Sequence, residues 1–142
     1  MPRNIVVANG KLCVALDRNM SIRDLFYPQV GLENHAAGHE FKTGVWVDGH
    51  FSWFGKDWTP DMKYMPDTLV SRCMAMSPSM SMRCEINDAI HPLFDIFMRK
   101  FTLQNIGTET RKVRLFFAHD FHVYGDAVGD TVMYESASKA IL

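Results

Sequence analysis

The chain has 142 residues, of which 47% are hydrophobic and 22% charged, with a net charge of −1 at neutral pH. That balance is globular and excludes a disordered chain, while a near-zero charge gives no general attraction to nucleic acid or to an anionic membrane. No window approaches the run of about 18 apolar residues that a membrane helix requires, so neither nucleic acid nor a membrane is expected as a partner.

At the N-terminus Arg3 and Asn4 lead into a short apolar run, Ile5 to Ala8, and no secretory signal is visible. Leu12, Val14 and Leu16 then alternate as in a strand before the polar turn Asp17-Arg18-Asn19. A second run begins at Ile22 and stops at Pro28. Residues 41–47 reach Asp48-Gly49, the strongest short-range hairpin signal, and residues 50–54 return. Across that turn the spacing opposes Trp46 to Phe51 and Gly44 to Trp53 on one face, with Val45, Val47 and Phe54 on the other.

Beyond residue 67 the runs lengthen. Residues 68–76 and 80–87 read as strands around Ser77-Pro78-Ser79, and residues 94–105 as a long strand closed by a turn at 106–109. In that long strand the apolar set changes from Phe94, Ile96 and Met98 to Phe97, Phe101 and Leu103, which predicts a bulge near Met98-Arg99 or burial of both faces. In residues 112–123, Val113, Leu115, Phe117, His119 and Phe121 share one face, and Arg114, Phe116, Asp120 and His122 share the other. Residues 130–136 read as a further strand, and residues 138–142 begin another with no polar tail after it, so the chain is expected to be incomplete at its C-terminus. No long stretch holds a helical period. The fold class is therefore all-β, an antiparallel β-sandwich occupying residues 1–142 as one domain.

Three cysteines, Cys13, Cys73 and Cys84, are an odd number without C-x-x-C spacing and fit a reducing, cytoplasmic setting. Met74, Met76, Met80 and Met82 between two of them resemble a soft Cu(I) ligand set, but alternating Met is also how a strand packs an adaptable face. His119, Asp120 and His122 do not have a standard metal spacing, since only Asp120 and His122 converge and two ligands do not make a site. Asp126 and Asp130 lack the ligand pattern of a Ca²⁺ loop and read better as turn caps. No metal or cofactor is expected. Glu33, Asn34, His35 and His39 lie in a Gly-rich loop, where polar groups either serve a ligand or satisfy loop backbone. Trp46, Trp53 and Trp58, with Phe51, Phe54 and Tyr64, offer either a sugar-stacking surface or packing against a core or a domain. No pair among the 16 Asp and Glu is marked as catalytic.

Residues 9–17 and 22–35, then the hairpin 41–53, then residues 111–134 with Arg114-Leu115-Phe116-Phe117 and Gly129-Asp130-Thr131, resemble in order the N-terminal β-sandwich domain of prokaryotic glucoamylase-like enzymes of glycoside hydrolase family 15, which includes glucodextranase and trehalase relatives. The Met-rich stretch 71–92 departs from that pattern. The resemblance implies a supersandwich placed ahead of an (α/α)-barrel, which cleaves α-glucosidic bonds with inversion and carries both catalytic glutamates. No family catalytic residue falls on this chain. The expected role is structural, packing against a barrel in cis or in trans, with an α-glucan or trehalose-type carbohydrate as the partner of the parent enzyme. Glu33, Asn34, His35, His39, Trp46, Trp53 and Trp58 are the candidate substrate or domain contacts. The alternative is a free-standing carbohydrate-binding module that uses the tryptophan surface.

Overall fold

A computed structural model describes residues 3–125 and 131–142. Asp126 and Asp130, and the start of the strand expected at 130–136, lie outside the described residues. Ten strands of four to nine residues come first: β1 (Ile5–Ala8), β2 (Cys13–Leu16), β3 (Ile22–Phe26), β4 (Lys42–Val47), β5 (His50–Trp53), β6 (Thr59–Tyr64), β7 (Ser71–Ser77), β8 (Met82–Ile90), β9 (Phe97–Asn105) and β10 (Val113–Ala118). A single 3₁₀ turn at Val123–Gly125 and two short strands, β11 (Tyr134–Glu135) and β12 (Ala140–Ile141), follow. Every pairing is antiparallel, in sheets ordered β1-β2-β3, β10-β4-β5, β6-β7-β8-β9 and β11-β12. The fold is an all-β antiparallel sandwich. No helix among the described residues is long and apolar enough to cross a membrane.

Turn chemistry sets the registers. Asp48 and Gly49 both take positive φ, 46° and 99°, as a two-residue hairpin turn requires. They place Trp46 opposite Phe51 and Gly44 opposite Trp53, the pairs the spacing predicted. At the first turn the Asp17 carboxylate accepts from the backbone N–H groups of Asn19 (2.8 Å) and Ser21 (3.1 Å), an Asx arrangement that reverses the chain between β2 and β3.

Two expectations are corrected. The β8–β9 register runs unbroken from Met82↔Asn105 to Ile90↔Phe97, so no bulge lies at Met98-Arg99. The change of apolar set arises because the strand begins at Phe97, while Phe94 and Ile96 sit in the preceding loop, exposed. The register slip is instead in β2, between Ala15 and Leu16, opposite β3. The second is β6, a strand that the sequence pattern does not mark. Pro60 cannot donate to a ladder, and β6 tolerates it because it is the edge strand of its sheet.

The core lies between the β6-β7-β8-β9 sheet and the other two main sheets. Ile5 and Val7 of β1, Val14 and Leu16 of β2 and Val45 and Val47 of β4 join Cys73 and Ala75 of β7 and Met82, Cys84 and Ile86 of β8 in one buried cluster. Alternation explains the membership: in β7 and β8 every second residue is buried. The same alternation divides the methionines. Met82 faces the core with Cys73 and Cys84, whereas Met74 and Met76 lie across β7 on the outer face, opposite Glu85 and Arg83. The soft atoms therefore do not form one copper set. Burial pushes the thiol of Cys73 up to about 11 and that of Cys84 up to about 12, so both are unreactive apolar packing groups.

Candidate functional site

The loop between β3 and β4 contains four of the candidate residues, and the structure separates them into inward and outward groups. Asn34 is turned inward. Its Oδ1 accepts from the backbone N–H groups of Leu25 (3.1 Å) and Ala36 (3.1 Å), and its Nδ2 donates to Asp24 Oδ1 (2.9 Å). His35 is buried, and its Nδ1 accepts from the Tyr124 backbone N–H at 3.4 Å. That leaves the proton on Nε2, which donates to the Tyr27 carbonyl at 2.7 Å. The His35 carbonyl accepts from the His122 N–H at 2.9 Å, so this loop and the segment after β10 are tied at three points. Glu33 is half-buried, and its carbonyl accepts from the Tyr27 N–H. His39 leaves the loop toward solvent and faces Asp120. Among the four, Asn34 and His35 are occupied by the fold, while Glu33 and His39 remain accessible.

Asp24 anchors the clamp. Its carboxylate is paired with Arg3 as well as Asn34, and the Arg3 hydrogen bond, ahead of the Asn34 bond, holds its pKa below the usual 3.8. A carboxyl with a lower pKa in the folded than in the unfolded chain stabilises the fold fully above the unfolded value. That contribution is lost as pH falls through the folded value. Thermal unfolding between pH 7 and pH 2 is expected to show a stability loss below about pH 4, and Asp24→Asn is expected to be less stable at neutral pH with a shallower acid limb. Equal acid limbs in the two proteins would contradict this role for Asp24.

A second feature is the aromatic surface on the outer face of β10-β4-β5. Pairing of β10 with β4 sets Arg114 beside Trp46 and Phe116 beside Gly44, so two cross-strand rows form: Arg114–Trp46–Phe51 and Phe116–Gly44–Trp53. Phe51 packs edge-on against Trp53 (4.8 Å between centroids) and against Phe116 (5.6 Å), and the Arg114 guanidinium lies 5.1 Å from the centre of the Trp46 ring. Gly44 makes room for this packing: a Cβ there would lie 2.4 Å from Phe51 Cζ and 2.9 Å from Trp53 Cε3. Phe51 and Phe116 are 45% and 43% exposed. Trp58 does not belong to this surface. It is 4% exposed and packs against Phe54 in the core. Sequence reasoning found Trp46, Phe51 and Trp53 through the hairpin, but not Arg114 and Phe116, which join only through a pairing between strands far apart in the chain.

The third feature is a groove of about 380 Å³ between β3, β9 and β10, lined by Leu25, Phe41, Phe97, Phe101, Phe117 and Phe121 with His119 and Arg99. Burial, then the charge of Arg99, holds the His119 pKa below its usual 6.5, so the ring is neutral at physiological pH. The most deeply buried carboxylates point elsewhere: Asp17 caps its turn, Asp24 holds the loop, and Asp88 is paired with Arg99 and Ser71. None of these three presents a proton to a cleft.

No protein-family model matches the sequence, and no curated protein matches it. Among solved structures, one of a bacterial glucoamylase complexed with acarbose superposes with a TM-score of 0.73 and 15% sequence identity over 87% of this chain. The fold resembles that of the matched part of the glucoamylase chain. The matched region is 18% of the glucoamylase chain, so this chain spans less than a fifth of that protein's length. At that identity the likeness establishes a shared arrangement of strands.

Proposed function

We propose that the chain is the N-terminal structural sandwich of a glucoamylase-like α-glucosidic-bond hydrolase and packs against an (α/α)-barrel catalytic domain that these residues do not include. The observation that carries this reading is the superposition on a bacterial glucoamylase over 87% of the chain. Exposed apolar groups support it. Val132, Met133, Tyr134, Ile141 and Leu142 are each between 60% and 71% exposed, Leu93 is 82% and Phe94 60% exposed, and covering such surface with a second domain is favourable.

Glycoside hydrolysis needs two carboxyl groups set about 5–9.5 Å apart across a sugar-binding cleft. In this chain the deeply buried carboxylates are tied to backbone, Arg3, Arg99 and Ser71 instead. On this reading the isolated chain is expected to be inactive, and the substrate, an α-glucan or trehalose-type sugar, belongs to the parent enzyme. Incubation of the purified chain with maltooligosaccharides and with trehalose tests this; glucose release above a buffer control overturns it.

A second reading has its own observation, the Trp46–Phe51–Trp53–Phe116 surface with Arg114 at its edge. Aromatic faces of this kind stack on sugar rings, and the reading is then a carbohydrate-binding module. It predicts a saturable change in tryptophan fluorescence on adding soluble glucans. Gly44→Val displaces Phe51 and Trp53 by crowding and is expected to abolish that change, while destabilising the fold by about 1–3 kcal/mol. A flat fluorescence titration of the wild-type chain removes this reading and leaves the first.

A further inference from the structure

The strand expected to reach residue 123 ends at Ala118, so Asp120 and His122 meet in the segment after β10 and not by strand alternation, and the fold adds a third ligand that the sequence did not associate with them. His39, in the loop before β4, comes to lie beside both. Its Nδ1 is 2.7 Å from Asp120 Oδ2, and His122 Nε2 is 3.4 Å from Asp120 Oδ1. The two imidazole rings stack, with centroids 4.2 Å apart and planes 20° apart, and each has a nitrogen near one oxygen of the same carboxylate. One ligand atom from each of the three residues lies within 4.8 Å of the others.

We propose that His39 Nδ1, the Asp120 carboxylate and His122 Nε2 form a binding site for a borderline divalent transition-metal ion, Zn²⁺ being the reference case, with water as the fourth ligand. Metal–ligand bonds of about 2.0–2.2 Å in a tetrahedron place ligand atoms about 3.3 Å from one another. The ligand–carboxylate distances are 2.7 Å to one oxygen and 3.4 Å to the other, and the three ligand atoms lie within 4.8 Å of one another, so side-chain rotation must draw them onto one ion. Two imidazoles with one carboxylate select the class of ion. Mg²⁺ and Ca²⁺ require mostly oxygen ligands, whereas Zn²⁺, Co²⁺ and Ni²⁺ accept nitrogen. The side chains of His39, Asp120 and His122 are 49%, 58% and 21% exposed, which gives an ion direct entry and room for the water.

In the metal-free protein His39 Nδ1 and Asp120 share a hydrogen bond. On binding, each imidazole gives a lone pair to the ion, His39 from Nδ1 with its ring proton on Nε2 and His122 from Nε2 with its ring proton on Nδ1, and any further ring proton passes to solvent. The ion then clips together two segments that already meet through the His122 N–H to His35 carbonyl bond and the Tyr124 N–H to His35 Nδ1 bond. Because it binds the folded chain, it stabilises that chain by mass action.

The test uses the untagged full chain, stripped with a chelator, in calorimetric titration with Zn²⁺ and in visible absorption titration with Co²⁺. The expected result is saturable one-to-one binding, the intense visible bands of four-coordinate Co²⁺, and a melting temperature that rises with Zn²⁺ and not with Mg²⁺. His39→Ala, Asp120→Asn and His122→Ala are each expected to weaken binding at least about tenfold, while His50→Ala, at the start of β5, binds as wild type. Proton NMR of the wild-type chain provides a readout independent of any variant, since Co²⁺ broadens or shifts the imidazole signals of His39 and His122 before those of His50. Absence of saturable binding overturns the proposal. So does binding that survives all three substitutions, equal affinity for Mg²⁺, or Co²⁺ effects confined to other histidines.

Discussion

Replacing Arg99 with alanine is expected to destabilise the fold by about 3–5 kcal/mol, a large share of the about 5–15 kcal/mol that holds a domain of this size together. Asp88 is fully buried in β8, and Arg99 directly opposite it in β9 is 10% exposed. The guanidinium donates from Nε to Asp88 Oδ1 at 2.6 Å and from Nη2 to Oδ2 at 3.3 Å, a two-pronged contact. Ser71 completes the site: its hydroxyl donates to Asp88 Oδ2 at 3.1 Å and accepts from the Asp88 N–H at 2.8 Å. Arg99 also donates to the Met20 carbonyl at 3.3 Å and lies within 6 Å of the Phe97 and Phe101 rings, which connects the sheet to the β2–β3 turn. Truncating Arg99 leaves a buried carboxylate with one hydroxyl for company, and that desolvated charge dominates the loss. Removing both charges is less costly than removing one. The double variant Asp88→Asn with Arg99→Met is therefore expected to be more stable than Arg99→Ala, with a coupling energy of about 1–3 kcal/mol in a double-mutant cycle measured by urea unfolding. Single substitutions that each cost less than about 1 kcal/mol and simply add would show the pair to be solvated, contrary to its burial.

That pair also shows where sequence reasoning stops. Asp88 and Arg99 are unremarkable in the sequence, two charges in strands otherwise read for their apolar alternation. They meet because the β8–β9 register places them opposite each other, and the register was legible only once the strand start at Phe97 was known. Local signals are informative wherever turn chemistry fixes geometry within a few residues. Asp48-Gly49 determined the whole β4–β5 hairpin, including which aromatic faces which, because both turn positions demand positive φ. Period-two alternation correctly placed Val113 and Leu115 on the inner face of β10, and it carried past the strand end to Phe121, which packs on Phe41. Strand β6 was lost because its edge position lets it be polar and contain Pro60, removing both the alternation and the apolar content that mark a strand. Trp58 was grouped with the surface tryptophans by type, yet the turn after β5 swings it into the core against Phe54. His39, the third member of the Asp120 cluster, is invisible in the sequence for the same reason as Arg114 and Phe116. Each joins its neighbours through contacts between distant segments, and no residue spacing encodes them.

Asn34→Ala is expected to destabilise the chain by about 2–4 kcal/mol, which distinguishes a structural clamp from a substrate contact. The amide accepts from two backbone donors, Leu25 N–H and Ala36 N–H, and donates to Asp24. Ala36 is fully buried, and an orphaned buried donor costs about 1–3 kcal/mol. Loss of the third bond weakens the Asp24–Arg3 pair that fixes the start of the chain against β3. Asn34→Asp sharpens the test. The aspartate keeps an acceptor for the two backbone donors but sets a second carboxylate against Asp24 Oδ1, 2.9 Å from the atom it replaces. Two carboxylates so close cannot both ionise without cost, so one of the pair titrates at a raised pKa. The sign of the pH effect therefore reverses relative to wild type. Wild-type stability falls on acidification as Asp24 is protonated, whereas Asn34→Asp is least stable at neutral pH and gains relative to wild type as the shared proton is taken up. Urea midpoints for the three proteins across pH 2–7 provide the comparison. If Asn34→Ala keeps the wild-type midpoint, the clamp is unnecessary to the fold, and Asn34 returns with Glu33 and His39 to the group of side chains available to a sugar or a neighbouring domain.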